Sequence, residues 1–253
     1  MREYNTKHQI IQKKTVKKLG NRNINIDFNG GDISSDGGLF MISEIDRKIN
    51  LTAPIAEILD KHDPRYEPMV IHSNLRMLRQ RINGIVSGHE DITDHDHIRH
   101  DLNHQVAADT DEALASSPTL CRMENNQGGN RKVCLRMMEQ IVENFIRSFS
   151  AAPQELILDF DATDDPVHGE QLGRYFHGYY DRYCFLPLYV FCGERLLVSY
   201  LRPSSRKAST HAWTILRMLV KRFRREWPDV RIILRGDSDF SPWKMLSWCD
   251  DHG

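Results

Sequence analysis

Two carboxylates stand where short aliphatic runs of this chain break into turns: Asp161 in LILDFDATDDPVHG and Asp237 in VRIILRGDSDF. An acid at the end of a strand that is backed by an apolar sheet is held rigidly and still reached by solvent. That is the arrangement a hard divalent cation needs, because such ions take a few carboxylate oxygens from the protein and keep several waters. Carboxylates, rather than the His or Cys clusters that select softer metals, make up both strings.

The elements that must position these acids are legible around them. Glu155 to Phe160 has the aliphatic density and length of a buried strand, and Val230 to Leu234 reads the same way. Side chains alternate faces along a strand, so Asp159 and Asp161 point the same way. Between the two runs, Cys184 to Cys192 and Arg195 to Leu201 read as a strand pair turning at Gly193. Ser209 to Trp227 follows with helical periodicity, placing Trp213, Leu216, Val220 and Phe223 on one face, and Ser241-Pro242 opens a last helix. The order is β-β-β-α-β-α. In that order the first and fourth strands lie side by side in one mixed sheet and bring Asp161 next to Asp237. This is an α/β domain in the order of a ribonuclease-H-like fold.

With these residues in view, LDFDATDDPVHGEQ, FLPLYVF, LRPSSRKAS and LRGDSDFSP resemble the DDE transposases of bacterial insertion sequences, in the thirteen-eighty group. The N-terminal half carries DISSDGGLFMISEID, RQRINGIVSGHEDITDHDHIRHD and LASSPTLCRMEN in the order of that group, so the resemblance spans nearly the whole chain. It implies that Asp161 and Asp237 are the first and second catalytic aspartates and metal ligands. It also implies Mg²⁺ or Mn²⁺ as cofactor, and double-stranded DNA, both element ends and target, as partner. A homo-oligomer is compatible with it. Two cations about 4 Å apart would activate an attacking water or hydroxyl and stabilise the leaving oxygen of a phosphodiester. The family's usual third acid, a Glu on a late helix, has no counterpart before Gly253, which reads as an incomplete catalytic domain. Asp159, Asp164, Asp165 and Asp239 are left as acids that tune the site or solvate it.

Charge is nearly balanced, with 34 Lys and Arg against 35 Asp and Glu, so no global field announces a nucleic acid. Its placement is uneven. Arg202, Arg206, Lys207, Lys221, Arg222, Arg224 and Arg225 lie in a stretch without an acid, a candidate phosphate-contact surface whose plain alternative is a solvated helix face.

Residues 1–23, with Lys13, Lys14, Lys17 and Lys18, read as a basic flexible tail. Residues 24–152 read as a mostly helical domain that binds DNA ends, and 153–253 as the partial catalytic domain. Within the former, Ile24 to Phe28 and Gly30 to Ile33 suggest a strand pair, and Leu39 to Ile49, Ile55 to Leu59, Asn74 to Val86 and Val133 to Phe149 suggest helices. Asn125 to Asn130 suggests a polar break. The absence of a leader-like or membrane-spanning apolar run points to a cytoplasmic protein. Five cysteines without CxxC spacing indicate neither a zinc ribbon nor a disulfide framework. The stretch holding His89, His95, His97, His100 and His104 is read as part of the helical domain rather than as a metal site, with Asp94 as a helix cap.

Two other functions fit the same residues. One is a metal-dependent nuclease that completes its site with Asp239 and nicks without joining. The other is a non-enzymatic DNA-binding fragment.

Overall fold

The computed structural model describes residues 14–19, 22–26 and 36–252, and the chain divides into two compact units, Met1–Cys134 and Leu135–Gly253. The first unit begins with an antiparallel pair, β1 (Lys14–Leu19) and β2 (Arg22–Ile26). The lysines expected in a tail at positions 14, 17 and 18 therefore lie in a strand. Gly20 and Asn21 separate the two strands in sequence. The expected second strand at Gly30 to Ile33 lies outside the described residues.

Helices α1 (Gly38–Ile49), α2 (Thr52–Asp60), α3 (Asn74–Val86), α4 (His95–Ile98), α5 (Leu102–Ala107) and α6 (Ser117–Gly128) follow. Buried polar groups tie them together. Asp46 of α1 accepts from the Thr52 amide at 2.9 Å and from Arg79 Nε of α3 at 3.0 Å. Gln80 of α3, fully buried, grips the Ala115 backbone both ways, donating to its carbonyl at 2.8 Å and accepting from its amide at 3.0 Å. Helix α6 runs through Asn125, Asn126 and Gln127, where a polar break was expected, because Gln127 is buried and donates to the Leu59 carbonyl at 3.3 Å. Asp94 makes no side-chain cap. Asp91 and Asp101 cap instead, accepting from the Thr93 and His104 amides.

Helix α7 (Arg131–Arg147) precedes the second unit's strands: β3 (Glu155–Ala162), β4 (Asp165–Pro166), β5 (Tyr175–His177), β6 (Arg182–Phe185), β7 (Leu188–Cys192), β8 (Arg195–Tyr200) and β9 (Arg231–Gly236). Helix α8 (Ala212–Glu226) stands between β8 and β9, and α9 (Trp243–His252) comes last. Four strands form one sheet in the order β8-β7-β3-β9, and β4, β6 and β5 form a small second sheet. Mixed α/β content is thus what the chain has. The run Cys184 to Cys192 is two strands in two sheets rather than one, because Pro187 has no N–H for a ladder and sits at the break.

The core of this unit is apolar. Leu156, Leu158 and Phe160 of β3 alternate inward with Ile157 and Asp159 only partly covered, and they pack with Val190, Leu197, Leu216, Leu219, Phe223 and Met245. β9 runs parallel to β3, while β7 is antiparallel to both β3 and β8. The C-terminal ends of β3, β8 and β9 therefore share one edge of the sheet.

Candidate active site

That shared edge is where the acids stand. The register pairs Asp159 with Arg235 and Phe160 with Gly236, so Asp161 and Asp237 come next as neighbours on strands spaced about 4.8 Å apart. Both are exposed. Asp237 caps the short 3₁₀ turn Ser238–Phe240, one carboxylate oxygen accepting from the Asp239 amide at 2.8 Å. Gly236 is needed immediately before it: a Cβ there would lie 3.0 Å from the Phe240 side chain and 3.3 Å from the Phe160 carbonyl. A larger residue would push β9 and its terminal acid away from β3.

One step inside the edge, Arg235 clamps Asp159 across the two strands, with Nε 2.6 Å from one carboxylate oxygen and Nη2 on the other. The guanidinium holds the Asp159 carboxyl below the usual carboxylate range. Asp159 is thereby neutralised by its partner, one residue pair inside Asp161 and Asp237 along the β3–β9 ladder. Asp164 lies 3.8 Å from Arg182, and Asp165 belongs to β4. The Tyr180 hydroxyl is pushed up by burial and then by the charge of Asp164. In the small sheet Phe176 and Tyr183 meet edge to face at 5.6 Å, with Arg174 4.7 Å above the Tyr183 ring, and Tyr179 is 85 % exposed.

Residues 16–253 match the family model described as Transposase DDE domain group 1. The chain belongs to this family. Such DDE domains generally use divalent metals, and transposases act on DNA. No curated protein and no solved structure matches the chain.

The basic stretch of this transposase domain is not one surface. Arg202 is only 2 % exposed: Nε donates to the Leu186 carbonyl at 2.9 Å, and Nη1 to the carbonyls of Ala208 and, at 3.0 Å, Thr210. Its charge shapes the loop after β8, and it does not belong with the phosphate contacts expected from sequence. Arg222 is held by Glu143, with Nη2 2.6 Å from a carboxylate oxygen, and by Glu226 at 3.2 Å. Arg224 donates to the carbonyls of Pro228 and His252 at 3.0 and 3.3 Å. Arg206, Lys207, Lys221 and Arg225 are exposed. Of these, Arg206 and Lys207 lie on the loop that leaves the C-terminal end of β8, the edge that carries the acids. Arg225 lies at the far end of α8, about 20 Å along its axis from Ala212.

Two contributors escaped sequence reasoning. Arg235 is an ordinary charged residue until the register is known. Lys244, 4.2 Å above the Trp213 ring that Arg217 also covers, adds a cation from α9.

Among the described residues, no helix is long and apolar enough to cross a membrane. The five cysteines are free thiols.

Proposed function

We propose that this chain is a transposase of a bacterial insertion sequence of the thirteen-eighty group, binding element-end DNA and carrying out metal-dependent strand cleavage and transfer through Asp161 and Asp237 on a ribonuclease-H-like sheet. The observation that carries the proposal is the parallel pairing of β3 with β9, whose register sets the two acids side by side at one sheet edge. The order β8-β7-β3-β9, with a helix between β8 and β9 in sequence, supports the fold assignment.

The donor set fits the hard cation that the family implies. Asp161 and Asp237 are exposed oxygen donors, and Asp159 is already matched by Arg235, so it does not compete. Mg²⁺ or Mn²⁺ held by the two acids would supply activation of an attacking hydroxyl and stabilisation of a leaving oxygen. The chain's own residues do the rest. The Asp239 amide orients Asp237, the Arg235–Asp159 pair bridges the two strands, and the exposed Arg206 and Lys207, on the loop after β8, would contact phosphates of the bound DNA. The exposed ring of Tyr179 would offer a stacking platform for an unpaired base.

The test is incubation of the chain with element-end DNA and, separately, with supercoiled plasmid, in Mg²⁺ and Mn²⁺. Cleavage and joining of element ends, abolished in Asp161→Asn and Asp237→Asn, is the expected result. Nicking without joining that requires Asp239 would favour the nuclease, since Asp239 is exposed next to Asp237. Salt-dependent DNA binding with no cleavage by any preparation would leave a non-enzymatic DNA-binding protein.

A further inference from the structure

We propose that Asp36, His89 and His104 form a binding site for one divalent transition cation of the zinc class in the N-terminal unit. The three come from separate segments: Asp36 lies two residues ahead of α1, His89 follows α3, and His104 lies in α5. One ligand atom from each lies within 4.8 Å of the other two. Nε2 of His104 is 3.5 Å from Oδ2 of Asp36, and the His89 and His104 rings meet at 5.8 Å with 64° between their planes. Tetrahedral ligands at about 2.0–2.1 Å from zinc lie about 3.4 Å from one another, so the Asp36–His104 separation already suits a shared ion. His89 need close by at most about 1.4 Å, and as a half-buried side chain on a loop it is able to turn.

His104 supplies an independent observation. Its residue is 1 % exposed, and neither ring nitrogen has a hydrogen-bond partner. Buried imidazole nitrogens are ordinarily satisfied, so this ring lacks what a cation would provide. The contact with Asp36, at 3.5 Å, lies at the outer limit of a hydrogen bond.

Two imidazole nitrogens with one carboxylate oxygen favour zinc, cobalt or nickel over magnesium or calcium. In this respect the cluster is the opposite of the all-oxygen pair Asp161 and Asp237. Three protein ligands leave a fourth position for water. The bound ion would join the entry to α1, the exit from α3 and the middle of α5, and so staple three segments that lie far apart in sequence.

The test uses the full chain without an affinity tag, carrying Asp161→Asn and Asp237→Asn so that the sheet-edge acids contribute nothing. After chelator treatment it is titrated with Co²⁺ and followed by visible absorption. One equivalent should bind with the intense band of a four-coordinate site and be displaced by Zn²⁺. In the same background, His89→Gln and, separately, Asp36→Asn should weaken binding at least about tenfold, since even outer-shell partners are worth that much. The circular dichroism should stay unchanged, and His97→Gln, at an exposed position nearby, should bind as the parent does. Absence of the band in the parent, or a band unaltered in both ligand variants, would overturn the site. The readout involves neither DNA nor cleavage, so its failure is separate from failure of the transposase proposal.

Discussion

The two units solve the same folding problem with opposite materials. The C-terminal unit buries almost only apolar side chains and sets its charges on the rim, where Asp159, Asp161, Arg235 and Asp237 crowd one sheet edge. The N-terminal unit buries Asn74, Gln80, Asn83, His95, His104, Gln105 and Gln127, and its helices are joined by side chains that satisfy backbone groups. A hydrophobic core tolerates exchange of one aliphatic for another. A buried polar network is specific, because each member removed leaves a partner unsatisfied. The contrast teaches why a reactive rim can be built on the first kind of core, whose stability does not depend on the charges displayed at its edge.

The largest expected effect sharpens this contrast on the apolar side. Leu158 is fully buried at the centre of β3, and Leu158→Ala should cost about 3 kcal/mol or more through lost transfer energy and a residual cavity. Trp213, Trp227, Trp243 and Trp248 all lie in the C-terminal unit, so a urea titration followed by tryptophan fluorescence reads the change there. An unmoved midpoint would break the account of that core. On the polar side, Gln80→Ala strands both the amide and the carbonyl of Ala115 and should cost about 3 kcal/mol. Gln80→Leu restores volume and not hydrogen bonds. If it recovers the far-UV circular dichroism midpoint, the N-terminal unit is held by packing after all.

A third, somewhat smaller effect is specific to the buried histidines. His95 is fully buried, its Nδ1 3.4 Å from Gln80 Nε2, and burial brings its pKa from 6.5 down to about 4. Its pKa is lower folded than unfolded, so protons bind the unfolded chain first. The stability it contributes is complete above about pH 6.5 and is lost as pH falls toward 4, up to about 3 kcal/mol. His95→Gln should flatten that part of the curve, measured by urea titrations at stepped pH. A curve of unchanged slope would mean the ring is protonated without penalty.

The smallest effect tests the rim. Replacing Arg206 and Lys207 with Gln should lower the slope of log affinity for duplex DNA against log salt by up to about one per lost phosphate contact. Arg225→Gln, at the far end of α8, should leave it unchanged. The reverse ranking would move the DNA path away from the acid-bearing edge.

Much of this arrangement was legible before any coordinates. The aliphatic runs before Asp161 and Asp237 announced two strands, and their place in the element order implied adjacency, which the β3–β9 ladder bears out. Helix α3 falls at Asn74–Val86, as its apolar spacing predicts. What escaped depends on partners distant in sequence. Arg202 reads as a surface cation until the carbonyls of Leu186, Ala208 and Thr210 close around it, and Arg222 until Glu143 arrives from another helix. The Arg235–Asp159 clamp needs a register, which strand composition does not specify. The histidine-rich stretch reads from sequence as part of the helical domain rather than as a metal site. Only folding singles out His89 and His104 by bringing Asp36 to them.

The most direct test of the central claim, that Asp161 and Asp237 act as one site, is isothermal titration of the chain with Mn²⁺ in the Asp36→Asn background, which weakens the N-terminal cluster. The account predicts weak but measurable binding that is lost in Asp161→Ala and lost equally in Asp237→Ala, since either deletion leaves the cation short of charge and ligands. Binding that survives undiminished in both variants would contradict it.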